Sequence, residues 1–549
     1  MKKFLKCFKS NKYGKDFLIF LLFALGVNIL YRSLYQTYFQ QDEWYFFGQA
    51  IYGMNHGFSN LLGVLGGYHF TPLSYLAYYL EYSILGLNSF WFAFVSIQLH
   101  VLTTILVYLL SRQLLRNRMI AFVASLIFAV AYAPSQAVTW FAAYLGEYST
   151  IFGLISIILW LKSYQSKDKL LKTVSLIFLL LGLLFKEDII TLFLIIPILS
   201  FYRFGKRSLT KDYLFMLVLG IIYLIPRFLL QHSASSAIQI NNLNSLNNFL
   251  YISFLNTRVF LTGIGYLIFS PSLIITFLKI VVFELFLSKL TAGFVTVSDT
   301  SINTFFTPIA AFLFSTFFVI PFLFLLKRNN KQFPVKRELL LLPIIPLSFA
   351  PYIILGRDII LPESRYFYFP MVFMSILLAL FIYLFYTSFK NNIVKFFVLF
   401  FTIFYLVLNV HYDSFIENYV PLSRIRMNIV NYMNNQIPKK QNKIVFYIGG
   451  DNLPFQSGVG QMLVVMTSQK DKRFNDYLKG YFLWNMGSQG YEELGNLGFG
   501  YFSDYNELQK AFINNKLNSE DVFAYSWNAR SSQMDNITGT IRKKLGNEK

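Results

Sequence analysis

The sequence predicts a polytopic α-helical membrane protein that carries a small α/β domain in its C-terminal part. Hydrophobic residues make up 55% of the 549 positions and charged residues only 14%, which is too little charge to cover a soluble protein of this size. The apolar residues form runs that reach or approach the length needed to cross about 30 Å of hydrocarbon. The basic residues lie in short clusters between those runs, as cytoplasmic loops do.

The net charge of +21 is therefore interpreted as topological, and a nucleic-acid partner is not expected. The single cysteine, Cys7, excludes an internal disulfide framework and a cysteine-based zinc site. A lysine-rich N-terminus precedes an apolar run from Phe17. That run is too long for a signal peptide and no small-residue cleavage site follows it, so we expect an uncleaved first helix.

Hydropathy predicts about 13 membrane helices. Their approximate spans are 17–35, 90–110, 119–134, 147–162, 170–185, 188–203, 212–230, 251–269, 272–290, 305–326, 338–356, 366–388 and 392–411. Residues 173–202 would form a helix of about 45 Å if it were continuous, which is too long for one crossing. We expect two short helices, with the charged residues of "KED" (186–188) at a recessed turn between them, because charge that faces lipid is costly.

The connections alternate between strongly basic and nearly uncharged. The basic set contains the N-terminal lysines and the clusters Arg112, Arg116 and Arg118; Lys162 to Lys172; Arg203 to Lys211; Lys327 to Arg337; and Lys390 with Lys395. The positive-inside rule then places the N-terminus in the cytoplasm and the C-terminal domain outside. We expect a membrane domain over 1–411 and an extracytoplasmic domain over 412–549.

Two regions outside the helices have structure of their own. Residues 36–89 form a long outer loop in which 73–85 repeats apolar positions at helical spacing, which predicts amphipathic helices at the membrane surface. In the C-terminal domain, "KIVFYIGG" (443–450) predicts a buried strand and a turn. A helix is predicted over 503–517 with Ser503 as its N-cap, and a second strand over 521–527.

Most of the notable polar residues fall at the outer ends of the predicted helices. They are Asp42, Glu43, His69, Glu147, Lys186, Glu187, Asp188, Arg357 and Arg365. Transfer of a sugar from a lipid-linked phosphate to a hydroxyl needs one carboxylate as base and cations for the charge that grows on the leaving phosphate. A glycoside hydrolase needs two carboxylates at a set separation, which no sequence displays.

Five stretches together resemble the GT-C glycosyltransferases. Asp42-Glu43 is similar to the acidic motif of their first outer loop. The stretch "YHFTPLSYLAYYLEYSILGLNSFWFAFVSIQLHVLTTILVYLLSR" (68–112) resembles the "RPL…G…HL.N…H" region of the protein O-mannosyltransferase-like branch, and "PSQAVTWFAAYLGEYSTIFGLIS" (134–156) resembles the segment that follows there. "FKED" (185–188) is similar to its "SKE", and "SRYFYFP" (364–370) to its "RYLYLP". The helix count and the outer tail also resemble aminoarabinose and mannose transferases of this superfamily.

The resemblance implies an inverting glycosyltransferase of the cytoplasmic membrane that uses a polyprenyl-phosphate sugar. Asp42 or Glu43 would be the catalytic base. Donor phosphate contacts would come from Lys186, Arg365 and Arg357, and substrate contacts from His69, Glu147, Glu187, Asp188 and Tyr366. The chain departs from the family at His69, where an arginine often precedes Pro-Leu, and it has no repeats in its tail like those of some relatives.

No cofactor is required by this chemistry, and a divalent metal at Asp42 and Glu43 stays open. The acceptor would be a lipid, a glycan or a protein, and membrane lipids would surround the chain. A transporter or flippase for lipid-linked glycans is the alternative, because it would use similar greasy grooves and cationic linings. A scaffold whose tail recruits partners is a third hypothesis.

Overall fold

The computed structural model describes residues 12–57, 71–230, 262–279, 306–330, 332–354, 365–413, 416–450, 453, 455, 458–486 and 489–547. It is mostly helical (77%), with a small sheet in the C-terminal part. These bounds affect several of the predictions. His69 and Arg357 lie outside the described residues, and the predicted spans 251–269 and 272–290 are described only in part.

The helices, in chain order, are α1 Lys12–Leu30, α2 Glu43–His56, α3 Pro72–Leu85, α4 Ser89–Leu115, α5 Arg118–Ala129, α6 Ser135–Thr139, α7 Leu145–Ser166, α8 Lys169–Phe185, α9 Leu192–Phe204, α10 Lys206–Leu230, α11 Pro271–Phe277, α12 Thr307–Arg328, α13 Val335–Glu338, α14 Ile344–Ile354, α15 Tyr368–Ser388, α16 Asn392–Asp413, α17 Ile416–Gln436, α18 Val459–Lys470, α19 Gly480–Asn485, α20 Tyr505–Asn514 and α21 Thr538–Gly546. Short 3₁₀ turns cover Arg32–Gln36, Glu187–Ile189 and Arg365–Phe367 among others.

Five described helices are long and apolar enough to cross a membrane, by length and composition. They are Ser89–Leu115, Leu145–Ser166, Thr307–Arg328, Arg365–Ser388 and Asn392–His411. Several predicted spans are shorter apolar helices instead, such as Arg118–Ala129 with its 12 residues. At 1.5 Å per residue such a helix is only about 18 Å long, which is shorter than the roughly 30 Å hydrocarbon core. The length of an apolar run in the sequence therefore overestimated the length of the helix.

The break predicted at residues 186–188 is confirmed. Helix α8 ends at Phe185, a 3₁₀ turn covers Glu187–Ile189, and α9 begins at Leu192. Close packing around this turn depends on Gly182, because a Cβ there would lie 2.6 Å from Ile189 Cδ1 and 3.1 Å from the carbonyl oxygen of Ser149. The turn is therefore held tightly against α7.

The chain divides into two compact units. The first, here called the bundle unit, comprises Met1–Arg32, Gly66–Thr71 and Val95–Phe415. The second, the C-terminal unit, comprises Ser33–Leu65, Pro72–Phe94 and Ile416–Lys549. The sequence analysis placed loop 36–89 with the membrane domain. Its described helices group with the C-terminal domain instead, because α2 packs on residues of the tail.

The sheet of the C-terminal unit has the order β2-β3-β1-β4-β5. Its strands are β1 Lys443–Gly449, β2 Gly490–Leu494, β3 Leu497–Phe502, β4 Val522–Asn528 and β5 Gln533–Asn536. The central β1 runs parallel to β3 and β4, and both edge strands are antiparallel. A central strand with two neighbours and covered faces needs an apolar run, which is what "KIVFYIG" supplies.

The predicted strands at 443–449 and 521–527 are confirmed, and so is the helix that follows Ser503, over Tyr505–Asn514. Its predicted N-cap is wrong by one residue. Asp504 is the N-cap, since its carboxylate accepts hydrogen bonds from the N–H groups of Asn506 (2.7 Å) and Glu507 (3.0 Å). Asp and Ser are equally favourable N-cap residues, so the sequence alone did not decide which of Ser503 and Asp504 would cap the helix. The start of the helix at Tyr505 makes Asp504 the N-cap.

Candidate functional site

The described polar residues of the predicted site divide between the two units. In the bundle unit, Trp140, Gly146, Lys186, Asp188, Arg365 and Tyr366 lie together, and we call this group the Tyr366 cluster. Asp42 and Glu43 lie in the C-terminal unit. The two places are described in turn.

Lys186 is placed by the end of α8 and by the turn that follows. Its ammonium lies 2.5 Å from the carboxylate of Asp188, with side chains that are 15% and 8% exposed. The carbonyl oxygen of Lys186 accepts a hydrogen bond from the Ser149 hydroxyl at 2.9 Å. Gly146 faces this ion pair, because a Cβ at that position would lie 3.5 Å from the ammonium. The side chain of Lys186 is thus recessed and held in place, and Asp188 is its ion-pair partner.

Arg365 is placed by aromatic rings. Its guanidinium lies 4.5 Å from the ring centre of Trp140 and 5.0 Å from that of Tyr366, and it donates a hydrogen bond to the Tyr366 hydroxyl at 3.2 Å. The backbone N–H of Arg365 donates to Gln136 at 3.1 Å. In the described part of the chain, no carboxylate forms an ion pair with Arg365. A stacked arginine keeps its hydrogen-bonding edge available for a phosphate.

Tyr366 connects the two cations. The Lys186 ammonium lies 5.6 Å from the centre of the same ring that Arg365 contacts. Residues almost 180 positions apart in the chain therefore present positive charge around one buried tyrosine. An aromatic ring beside two cations suits a ligand that carries both a phosphate and a sugar, since sugar faces pack on aromatic rings and phosphates pair with cations.

The other two acids of the predicted set, Glu147 and Glu187, are buried, and each is next in sequence to a residue of the Tyr366 cluster. Glu147, which follows Gly146, is 0% exposed, and Glu187 is 5% exposed. Neither carboxylate oxygen of Glu147 has a hydrogen bond of normal geometry among the described residues, and its electrostatic partner is the Tyr368 hydroxyl. That hydroxyl lies 2.9 Å from Nδ1 of His100. The carboxylate of Glu147 therefore lies in the protein interior and is not exposed to solvent.

Asp42 and Glu43 have opposite environments although they are neighbours. Asp42 is exposed, at the N-cap position of α2. Glu43 is 1% exposed, and its carboxylate accepts hydrogen bonds from the N–H groups of Gln41 (2.9 Å) and Gln40 (3.4 Å). Burial, together with the charge of Asp42, raises the pKa of Glu43 despite the backbone donors that lower it. Of these two acids, Asp42 is the one whose side chain is exposed to solvent.

The turn that carries these acids is held by the tail. Gly458 has a φ of +83°, and a Cβ there would lie 2.8 Å from the carbonyl oxygen of Gln41. Arg426 donates to the side chain of Gln40 at 3.3 Å. Farther along α2, the amide of Gln49 donates to the carbonyl of Leu478 at 2.7 Å. The tail thus positions the turn before α2 and part of α2 itself.

The structure brings together Lys186, Asp188, Arg365 and Tyr366 of the predicted set, with Glu147 adjoining through Gly146. Sequence reasoning did not single out Trp140, Gln136 or Gly146. All three lie in the segment 134–156, which was noted only for its resemblance. An aromatic residue and a glycine in a run of apolar residues carry no separate signal, because the same residue types pack most helices.

Neither metals nor relatives add to the site. No group of three or more His, Cys, Asp or Glu residues that could hold a metal ion occurs within the described ranges. No protein-family model matches the chain, and no curated protein matches its sequence.

Proposed function

We propose that this chain is an inverting glycosyltransferase of GT-C type, with about 13 membrane spans, that moves a sugar from a polyprenyl-phosphate donor to an acceptor hydroxyl on the outer face of the cytoplasmic membrane. The observation that carries the proposal is the Tyr366 cluster, where Lys186 and Arg365 contact one ring. The apolar helices support a membrane location, which a polyprenyl donor requires.

In the proposed reaction the acceptor hydroxyl attacks the anomeric carbon, and the bond from that carbon to the phosphate oxygen breaks. Asp42 takes the hydroxyl proton. Polyprenyl phosphate leaves with an added negative charge, which Lys186 and Arg365 stabilise. No general acid is needed because phosphate is a good leaving group. Inversion follows from attack opposite the departing phosphate.

Asp188 and Glu43 have supporting roles in this proposal. Asp188 orients the ammonium of Lys186 in a recessed position. Glu43 holds the turn before α2 through the backbone of Gln40 and Gln41, so that Asp42 alone faces solvent. Because Asp42 is exposed and Glu43 is buried, we propose Asp42 as the base.

The test is a reconstitution of the full chain in liposomes with membrane extract as the source of lipid-linked sugars. Mass spectrometry would follow both released polyprenyl phosphate and glycosylated acceptors. We expect release by the native chain and loss of release on Arg365→Gln or Asp42→Asn, with normal folding. Movement of intact donor across the bilayer without polyprenyl phosphate would contradict glycosyl transfer and support a flippase.

A comparison of cell-envelope glycans and glycoproteins with and without the gene would then identify the product. A missing sugar on a lipid, a glycan or a protein would name the acceptor class. An unchanged profile under conditions in which the gene is expressed would contradict the proposal.

A further inference from the structure

A pocket of about 340 Å³ lies in the bundle unit, and none of its lining residues belongs to the Tyr366 cluster. Three arginines line it: Arg112 near the end of α4, Arg116 just after it, and Arg203 in the last turn of α9. All three belong to the basic clusters that predict the cytoplasmic face. The proposed glycosyl transfer uses none of them.

The positive charge of this pocket is only partly balanced. Arg112 forms an ion pair with Asp16 at 2.5 Å, and Arg118, outside the lining, lies 3.6 Å from the same carboxylate. In the part of the chain that the structure describes, no carboxylate forms an ion pair with Arg116 or Arg203. The pocket therefore holds one compensated and two uncompensated guanidinium groups.

Arg203 has a further sign of a missing partner. Its Nε is buried and has no hydrogen bond among the described residues. The charges of Arg116 and Arg337 both act unfavourably on that of Arg203. Arg337 pairs with Glu338 at 2.6 Å, and because a guanidinium has only donors, Arg337 cannot serve as the acceptor for Arg203. A buried donor without an acceptor is costly, and an anion in the pocket would remove that cost.

A helix dipole alone does not explain the arrangement. Arg112 and Arg203 lie in the last turns of α4 and α9, where the partial negative charge of the helix end favours a cation. That accounts for each arginine singly. It leaves the Nε of Arg203 without an acceptor and does not explain why three guanidinium groups line one pocket.

The remaining lining residues indicate the kind of anion. Gln113 and Gln165 add amide groups, and Gln165 is exposed at the end of α7. Leu109 and Ile158 are half-buried apolar side chains of the same pocket. A ligand with a phosphate and an attached alkyl portion matches arginines and amides beside an apolar wall. Basic pockets between membrane helices bind anionic lipid headgroups by this combination.

We propose that the arginine pocket formed by Arg112, Arg116 and Arg203 binds the phosphate of an anionic phospholipid. The phosphate would accept hydrogen bonds from Arg116 and Arg203, and the glycerol and first acyl carbons would contact Leu109 and Ile158. Soluble phosphate shares the charged part of this chemistry but not the apolar part. The proposal is independent of glycosyl transfer, because it concerns residues that the reaction does not use.

The test is a binding titration of the purified full chain in a neutral detergent with a fluorescent short-chain phosphatidylglycerol. Unlabelled phosphatidylglycerol, phosphatidylcholine and inorganic phosphate serve as competitors. We expect phosphatidylglycerol to compete about tenfold better than either of the others. The choline cation of phosphatidylcholine cancels its phosphate charge beside the arginines, and inorganic phosphate lacks the apolar part. Equal competition by phosphatidylcholine would overturn the proposal, and equal competition by inorganic phosphate would overturn its lipid part.

Variants locate the binding. Arg116→Gln with Arg203→Gln should weaken binding of the probe about tenfold or more, since two charge-assisted contacts are lost. Lys162→Gln is the matched control, because it removes one exposed positive charge from α7 without touching the lining. If the double variant fails to fold, Arg116→Gln alone, an exposed position, should still weaken binding about threefold. Native affinity in a folded Arg116 or double variant would contradict the proposal.

Discussion

The ammonium of Lys186 lies 2.5 Å from the carboxylate of Asp188, and both side chains are largely buried. A recessed ion pair of this kind stabilises a structure little compared with two apolar residues, but removal of one partner leaves an uncompensated buried charge. Its presence at a turn between two short helices is therefore better explained by a need for a fixed cation than by stability. This relationship leads to the first prediction.

Asp188→Asn should destabilise the chain by about 3 kcal/mol, because the largely buried side chain of Lys186 then loses its ion-pair partner. Thermal unfolding of the detergent-solubilised protein measures the change. The double variant Lys186→Met with Asp188→Leu should recover most of the lost stability and still lack transfer activity. Recovery of activity along with stability would show that Lys186 has only a structural role.

Arg365→Lys should raise the KM for the donor about tenfold. The charge is retained, but the planar group that stacks on Trp140 and Tyr366 is lost. Steady-state kinetics with varied donor concentration provide the measurement. Arg328→Lys is the control, since that guanidinium stacks on Phe389 at 4.8 Å outside the cluster. Equal effects of the two substitutions would argue against a donor-binding role for Arg365.

Asp42→Asn should lower transfer about 10²-fold or more with unchanged folding, as expected for loss of a general base from an exposed position. Initial rates at saturating donor test this. Glu43→Gln should retain much more activity, because a glutamine oxygen can still accept from the backbone of Gln41. The reverse order of effects would transfer the role of base to Glu43.

The stability of the chain should depend on the ionisation of Glu43. Its pKa is raised by burial, so the folded state holds the proton more tightly than the unfolded state does. The stabilisation of the folded state by protonated Glu43 is fully present below the pKa of Glu43 in the unfolded chain. It is lost as the pH rises through the pKa of Glu43 in the folded chain. The native chain should therefore lose stability relative to the Glu43→Gln variant as the pH rises from the unfolded pKa of Glu43 through its folded pKa. A pH-independent difference between their unfolding midpoints would contradict this.

Gly458→Ala should destabilise the C-terminal unit by about 1–3 kcal/mol. The backbone there has a φ of +83°, and the new methyl group would meet the carbonyl of Gln41. Limited proteolysis of the full chain measures the effect through cleavage near α2. Gly539→Ala is the control, because nothing lies within 4 Å of a Cβ at that helical position. Equal resistance of the two variants would show that the contact carries no strain.

Much of the secondary structure could be predicted from the sequence. Apolar runs and breaks placed most helices within a few residues, including the turn at Lys186 to Asp188, because helix formation and burial depend on local patterns. The lengths of the helices were less predictable. Hydropathy records where the chain is apolar, whereas Arg118–Ala129 ends where Val130 closes the last turn.

The environment of each acid was not predictable. Asp42 and Glu43 are adjacent and chemically alike, so nothing local tells which carboxylate is exposed and which is buried. Packing of Gly458 and Arg426 from the tail on the turn at Gln40 and Gln41 decides it. Contacts between residues some 400 positions apart depend on the whole fold.

The sequence by itself determined that the chain is apolar enough for a membrane, where most of its helices lie, and which charged residues interrupt them. These are properties of composition and short-range periodicity. Only the tertiary structure decided that Lys186 and Arg365 contact the same ring of Tyr366, and that Arg203 lines a pocket with Arg116. Convergence of distant side chains depends on how helices pack, and packing is settled by the shape of the complete set of side chains.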